Sequence, residues 1–307
     1  MTKKIQNYLS NIKLKYRDTI FFFVKALISI LILVFIFKKI DFAGFIRTFS
    51  KLRLSVFLQL LFWEIVREVF QLFNWRNYLM MNEIDVPLSK IFDTHFMGHA
   101  FRFLVPGGHG VYGKAFYMTG AKKKAAVAIT IERFFQTWSI LLFFGISLIL
   151  LNVMTKGIVA LELILLSLPF FLPYFITKLK FYSDNSSAHF KKYYSINIFF
   201  SIAAQIGTIL IYIVEYFIII NNFVKVPFIK IFTSIPIILS SKIIPISYSG
   251  LGISEGFSMQ AFKNSAVTPD IAVTASLTVF IISSLLPGIL GLIIFLKIKK
   301  GSHKTAS

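Results

Sequence analysis

The chain has 307 residues, of which 56% are hydrophobic and only 15% charged, and its mean hydropathy of +0.76 excludes a soluble globular domain, which would expose large apolar patches. The formal net charge of +20 would indicate a nucleic-acid partner for a soluble protein. Here the cations lie mainly at the chain ends and in short connections, which excludes nucleic acid and favours contact with anionic lipid. The absence of cysteine excludes disulfides, cysteine-ligated zinc and thiol catalysis.

Apolar runs long enough to cross a membrane follow one another along the chain, since about 20 residues span the ~30 Å hydrocarbon core. In chain order they are Ile20–Phe37, Val56–Phe73, Ala125–Leu151, Gly157–Thr177, Ser195–Ile220 and Ile271–Leu296. The first is too long for the core of a signal peptide and has no small-residue cleavage site after it, so we interpret it as a retained span. Asp41–Arg53, with its neighbouring lysines, is expected to form an amphipathic surface helix. Residues 297–307 are expected to be a short basic tail.

Two further apolar stretches, Leu88–Met118 and Phe228–Phe262, are interrupted by proline and glycine near their middles. A lipid-facing helix does not tolerate such breaks, because each unpaired backbone group in hydrocarbon costs several kcal/mol. Irregular backbone survives at membrane depth only where protein or a water-filled cavity covers it. We therefore predict that each stretch forms a re-entrant helical hairpin. The glycine-rich segment Val105–Met118 would form the tip of the first hairpin, and its free backbone N–H groups would suit an anionic headgroup.

The two broken stretches are related in sequence. VPLSKIF at Val86–Phe92 recurs as VPFIKIF at Val226–Phe232, and proline and lysine in one register are informative because the chain has only nine prolines. We interpret the likeness as an internal repeat, with halves at about 20–151 and 157–296. Three crossings per half would place the halves in opposite orientations, as in alternating-access transporters. A chance likeness between apolar helices with proline hinges is the alternative.

The predicted fold is therefore an all-α integral membrane protein with one transmembrane domain. It would contain about six full transmembrane helices plus two re-entrant hairpins in an inverted repeat. Basic residues are more frequent on the side that holds the N-terminus, which predicts that both termini are cytoplasmic. The Lys38–Arg53 cluster falls on the opposite side and weakens that prediction. The expected location is a bacterial inner membrane.

Ionisable residues occur inside the predicted spans, where each costs roughly 3 kcal/mol at the centre of a lipid-facing helix. They are Glu64, Arg67, Glu68, Glu132, Arg133, Glu162 and Glu215. Glu64 is three residues from Arg67 and four from Glu68, so pairing on one helix is available, and for this trio structural and functional roles both stay open. Glu162 and Glu215 are expected near an interface, without a specific role.

Lys114 and Glu255 occupy near-equivalent positions in the two repeats, at the two hairpins. Their opposite charges would either pair across the repeat axis or hold the phosphate and amine of a zwitterionic headgroup. Glu132 and Arg133 follow the first hairpin in its closing span. We favour a functional role for Lys114, Glu255 and Arg133.

His95 and His99 are one helical turn apart, and such a pair can bind zinc. The acid that would act as base in HExxH is missing, because Phe96 occupies its place. We therefore predict no metal and no cofactor, and interpret the histidines as polar lining of a cavity together with His109 and Arg102. The glycine-rich stretch lacks the preceding strand and the Lys-Ser/Thr ending of a Walker loop.

Four motifs occur in order along the chain. They are NWRNYL at Asn74–Leu79, Pro106-x3-Gly110-x3-Lys114, Glu132-Arg133-Phe134, and Pro245 through Gly250-Leu251-Gly252 to Glu255. In this order they resemble motifs of the lysylphosphatidylglycerol synthase transmembrane family, whose members are often described as flippase-like. One departure matters: Val111 stands where that family commonly has glutamate, so a headgroup or proton role for that carboxylate is not carried over.

The resemblance implies an integral membrane protein that translocates a lipid with a phosphate headgroup, as does the membrane half of the multiple peptide resistance factor. The aminoacyl-transfer half would need a cytosolic domain, so enzyme activity is not expected. A homodimer and a separate lipid-modifying enzyme stay open as partners. The alternatives are a membrane-embedded transferase using Asp93, His95 and His99, and a non-transporting envelope scaffold. The expected substrate-binding residues are Arg102, Gly107, Gly108, His109, Gly110, Lys114, Glu132, Arg133, Gly250, Gly252 and Glu255.

Overall fold

The computed structural model describes residues 42–104, 106–118, 120–151, 156–179, 183–244, 250 and 252–304. Within these ranges the chain is helical and contains no strand, as the composition predicts. The α-helices are α1 (Phe42–Ser50), α2 (Leu54–Met81), α3 (Leu88–Leu104), α4 (Lys122–Leu150), α5 (Lys156–Ile176), α6 (Asp184–Phe223), α7 (Phe228–Ser240), α8 (Ile253–Ala261), α9 (Pro269–Phe280) and α10 (Leu286–Lys304). Pro106–Tyr117 and Ser241–Ile243 form 3₁₀ turns, and Ile281–Leu285 forms a π turn between α9 and α10.

Four helical segments among the described residues are long and apolar enough to cross a membrane. They are Lys122–Leu150, Gly157–Ile176, Asn185–Phe223 and Pro269–Lys297, and they contain or closely match four of the predicted spans. The predicted span Val56–Phe73 lies inside α2. This helix is not one of the four apolar segments, because it carries three charged residues within about one turn. The predicted span Ile20–Phe37 lies outside the described residues. The total of six spans stays a prediction.

Both broken stretches fold back on themselves. In the second, the Ser234 hydroxyl of α7 donates to the Ala261 carbonyl of α8 at 3.3 Å, and the Ser241 and Ser254 hydroxyls are 2.9 Å apart, so α7 and α8 run antiparallel. In the first, the 3₁₀ segment Pro106–Tyr117 packs against α3. The hairpin geometry of the second stretch follows from these contacts, and its re-entry into a membrane stays a prediction.

The repeated heptapeptides begin equivalent helices. The Pro87 carbonyl accepts a hydrogen bond from the Lys90 N–H at 2.9 Å at the start of α3. The Pro227 carbonyl accepts from the Lys230 N–H at 3.0 Å at the start of α7. Proline suits this position because its fixed φ and missing N–H cost nothing before the first helical turn. The inverted arrangement of the two halves stays a prediction.

The close approach of α10 to α3 depends on a glycine. A Cβ atom at Gly291 would collide with the backbone carbonyl of Phe96, which cannot move aside as a side chain would. Small residues allow this kind of backbone contact between helices in membranes, where packing rather than hydrophobic burial drives association. Gly291 therefore fixes where α10 lies against the helix that carries His95 and His99.

Candidate functional site

Arg67 of α2 joins three parts of the structure although only 2% of its surface is exposed. Its Nε and Nη2 donate to the two carboxylate oxygens of Glu64 at 2.8 and 2.5 Å, a bidentate pair that confirms the pairing expected from the sequence. Its Nη1 donates to the Tyr212 hydroxyl of α6, and Nη2 donates to the Ser283 carbonyl of the π turn at 3.1 Å. Arg67 thus connects α2, α6 and the junction of α9 with α10.

Lys114 and Glu132 form an ion pair between the 3₁₀ segment and α4. The Lys114 Nζ lies 2.5 Å from Glu132 Oε2, and the two residues are only 1% and 4% exposed. The same ammonium lies 3.5 Å from the centroid of the Trp75 ring, a favourable cation–π position. These contacts use both charges internally and hold the 3₁₀ segment against α2 and α4.

Glu255 caps α8 from inside the protein. Its Oε2 accepts from the Gly252 N–H at 2.6 Å and its Oε1 accepts from the Ser276 hydroxyl at 3.1 Å. Gly252 has φ 85°, in the left-handed region that favours glycine. Lys114 and Glu255 therefore each have internal partners other than one another.

A cavity of about 160 Å³ opens between α2, α3, α4, α6, α7 and the π turn. Among the described residues, its lining contains four cationic side chains and no acidic one. The cations are Arg67, Arg102, Arg133 and Lys242, and the neutral polar residues include Gln71, Gln136, Gln205 and Thr208. Arg67 is already paired with Glu64, so the positive charge of the lining comes from Arg102, Arg133 and Lys242. Low-dielectric walls focus the field of such groups, which suits the cavity to an anion.

Both broken stretches contribute to the cavity. Arg102 lies near the end of α3 in the first broken stretch, and Lys242 and Gly250 belong to the connection between α7 and α8 in the second. The buried Nε of Arg102 has no hydrogen-bond partner among the described residues. Leaving a buried donor without an acceptor costs about 1–3 kcal/mol, so an incoming oxygen anion would gain from this contact.

The structure distributes the expected binding residues over different places. Arg102, Arg133 and Gly250 line the cavity. Lys114 with Glu132 and Gly252 with Glu255 make the internal contacts described above. Gly107, Gly108, His109 and Gly110 belong to the 3₁₀ segment. Val111, the departure from the motif, is completely buried in an apolar cluster.

Lys242 and the glutamines of the lining are binding candidates that were not expected from the sequence. Lys242 had a signal, because it is a basic residue within the second broken stretch. Gln71 follows Arg67 by four residues and Gln136 follows Arg133 by three, spacings that place each pair on one helix face. Such polar spacing on an apolar helix predicts a face turned to a cavity.

His95 and His99 are absent from the cavity lining and lie against Glu68 of α2 instead. Asp93, the acid that the sequence placed near them, lies two residues before His95 on the same helix. An acid from a different helix thus takes the place beside the two imidazoles.

Comparison with protein families matches residues 22–291 to the family described as Lysylphosphatidylglycerol synthase TM region. The matched range includes the whole cavity lining, the Arg67 network and both hairpins. No curated protein matches the chain.

Proposed function

Because the chain belongs to the lysylphosphatidylglycerol synthase transmembrane family, we propose that it translocates an anionic or zwitterionic phospholipid, or a lipid-linked precursor, across a bacterial inner membrane. The family domain is membrane-embedded, which agrees with the four long apolar helices. The observation that carries the proposal is the cavity, whose lining, as far as the structure describes it, is cationic and contains no acidic side chain.

A phosphate group fits the chemistry of this lining. Guanidinium groups bind phosphate oxygens through paired N–H donors, and Arg102 offers a buried donor without a partner in the described structure. Arg133 and Lys242 supply further positive charge, and the glutamine and threonine side chains offer donors and acceptors for the rest of a headgroup. An anion in the cavity would offset cationic charge that is otherwise costly in a membrane interior.

The cavity volume suits a headgroup. The space of about 160 Å³ corresponds to on the order of ten water-sized sites, at about 10–15 Å³ each. We infer that the headgroup enters this polar space while the acyl chains stay in the bilayer. The two hairpins would act as re-entrant elements of an inverted repeat, with their tips on either side of the headgroup.

The test is transport of fluorescent lipid in proteoliposomes. Vesicles carrying either NBD-phosphatidylglycerol or NBD-phosphatidylethanolamine are treated with dithionite, which bleaches only the outer leaflet. Arg102→Gln, Arg133→Gln and Lys242→Gln should each slow translocation about tenfold or more, because a hydrogen bond to a charged group contributes about 1.5–3 kcal/mol. Lys263→Gln, at an exposed lysine away from the cavity, is the matched control.

Two outcomes would contradict the proposal. Bleaching identical to that of protein-free vesicles for both lipids would reject translocation of these headgroups. Unchanged rates in all three cavity variants, with normal elution on size-exclusion chromatography, would remove the cavity from the transport path.

A further inference from the structure

A buried carboxylate and two buried imidazoles meet where α2 packs against α3. Glu68, His95 and His99 are 6%, 2% and 3% exposed. Their potential ligand atoms all lie within 4.8 Å of one another. We propose that these three residues form a binding site for a divalent transition metal ion of the zinc class, which would link α2 to α3 beside the cavity.

The two distances from Glu68 to the imidazoles are close to those of a metal site. Glu68 Oε2 lies 2.6 Å from His95 Nε2 and 3.4 Å from His99 Nε2. With zinc bonds of about 2.0–2.2 Å, two ligand atoms of a tetrahedral site lie roughly 3.4 Å apart. The His99 contact already has that spacing, and the His95 contact needs to open by less than 1 Å, roughly one side-chain adjustment.

The backbone presents the ligands from two rigid elements. His95 and His99 are four residues apart on α3 and therefore project from one face of that helix. Glu68 comes from the middle of α2, so a bound ion would crosslink neighbouring helices. Two histidines one turn apart with a carboxylate from a second helix form a recurring three-ligand zinc set, which leaves one position for water or another ligand.

The second observation is an unsatisfied nitrogen. His99 Nε2 is buried and has no hydrogen-bond partner among the described residues, although it faces Glu68 Oε2. A buried polar atom without a partner requires an explanation. The unprotonated nitrogen of a neutral imidazole is a good ligand for zinc. The cluster is therefore not a fully satisfied hydrogen-bond network.

The neighbouring charges leave Glu68 available for a metal. Its Oε1 lies 3.4 Å from Arg67 Nη2, whereas Oε2 faces the two imidazoles, so the two oxygens have different partners. Arg67 is itself neutralised by its bidentate pair with Glu64. Arg67 thus orients the Glu68 carboxylate, as residues around the ligands do in metal sites. It does not neutralise that carboxylate, because its own charge is balanced by Glu64.

A bound metal would also fix one wall of the cavity. Arg102 follows His99 by three residues, close to the end of α3. Linking α3 to α2 at His95 and His99 would limit movement of that end. This inference is independent of the proposed lipid transport, because its test measures metal binding.

The experiment uses the full chain purified in detergent, stripped with chelator and then supplied with Zn²⁺ or Co²⁺. Mass spectrometry of the desalted protein should give one zinc per chain, and the cobalt form should show visible absorption typical of a tetrahedral site. His99→Ala and Glu68→Gln should weaken binding at least tenfold. His109→Ala and His189→Ala change histidines outside the cluster and should retain the metal.

Substoichiometric metal after reconstitution, or full metal retention in both cluster variants, would overturn the inference. If the variants do not fold, the unsubstituted protein still decides the question. Zinc that binds the folded state raises its unfolding temperature in a concentration-dependent way. An unfolding temperature unchanged by excess Zn²⁺, with no cobalt spectrum, would leave the Glu68–His95 contact as an ordinary hydrogen bond.

Discussion

Replacing Lys114 by methionine removes one charge from a pair that is almost completely buried. The Glu132 carboxylate, 4% exposed, then loses the ammonium at 2.5 Å. Breaking a buried ion pair in this way costs about 3–5 kcal/mol, because the remaining charge loses its ion-pair partner. At about 2 °C per kcal/mol for a large domain, the unfolding temperature should fall by roughly 6–10 °C. Glu132→Met should have a similar effect, since it leaves the ammonium buried.

The double variant Lys114→Met/Glu132→Met distinguishes pairing from separate roles. Removing both charges leaves apolar groups of similar volume, which is often neutral or stabilising, so this protein should unfold within about 3 °C of the original. Thermal unfolding in detergent, followed by tryptophan fluorescence, measures all three variants, and Trp75 reports directly because the ammonium lies 3.5 Å from its ring centroid. Lys263→Met, at an exposed lysine, is the control. Additive losses in the double variant would refute this reasoning.

Two further predictions concern helix packing and pH. Gly291→Ala should destabilise the protein by about 1–3 kcal/mol, because the new methyl group meets the Phe96 carbonyl. Leu292→Ala, at an exposed position of the same helix, is the control. Equal unfolding temperatures of the two variants would contradict the prediction. A hydrogen bond from Lys124 lowers the pKa of Glu83 below its usual 4.5, so this contact stabilises the protein above that pH and is lost as the pH falls through the lowered value. Glu83→Gln should therefore reduce the free energy of unfolding at pH 7 by less than about 1 kcal/mol. The variant should also lose less stability than the original protein as the pH falls below 4.5, which unfolding at several pH values would measure. An unchanged pH profile would count against the pair.

Local patterns in the sequence predicted much of the helical architecture. Apolar run length predicted four of the long helices, because crossing hydrocarbon requires a fixed number of apolar residues. Proline and glycine predicted that the second broken stretch folds back. The spacing of Glu64 and Arg67 predicted their pair, since residues three apart are neighbours on a helix.

The contacts between distant segments could not be predicted in the same way. Helical periodicity shows which residues share a face, but not which helix lies opposite. The partner of His95 is Glu68, on a different helix, and the sequence offered Asp93 instead. Glu215, for which no specific role was expected, is 1% exposed in the protein interior. Such positions depend on helix order in space, which the pattern of one segment does not contain.

The π turn at Ile281–Leu285 determines the direction in which each side chain of α10 points around the helix axis. A turn of this kind accommodates one residue more than an α-helical turn, and one residue corresponds to about 100° of rotation around the helix axis. If Ile281–Leu285 closed into an ordinary α-helical turn with all its residues kept, Leu290 would take about the angular position that Gly291 now occupies. An isobutyl group would then point at the Phe96 carbonyl, so α10 and α3 would separate. The extra residue of the π turn thereby selects which side of the last helix meets α3.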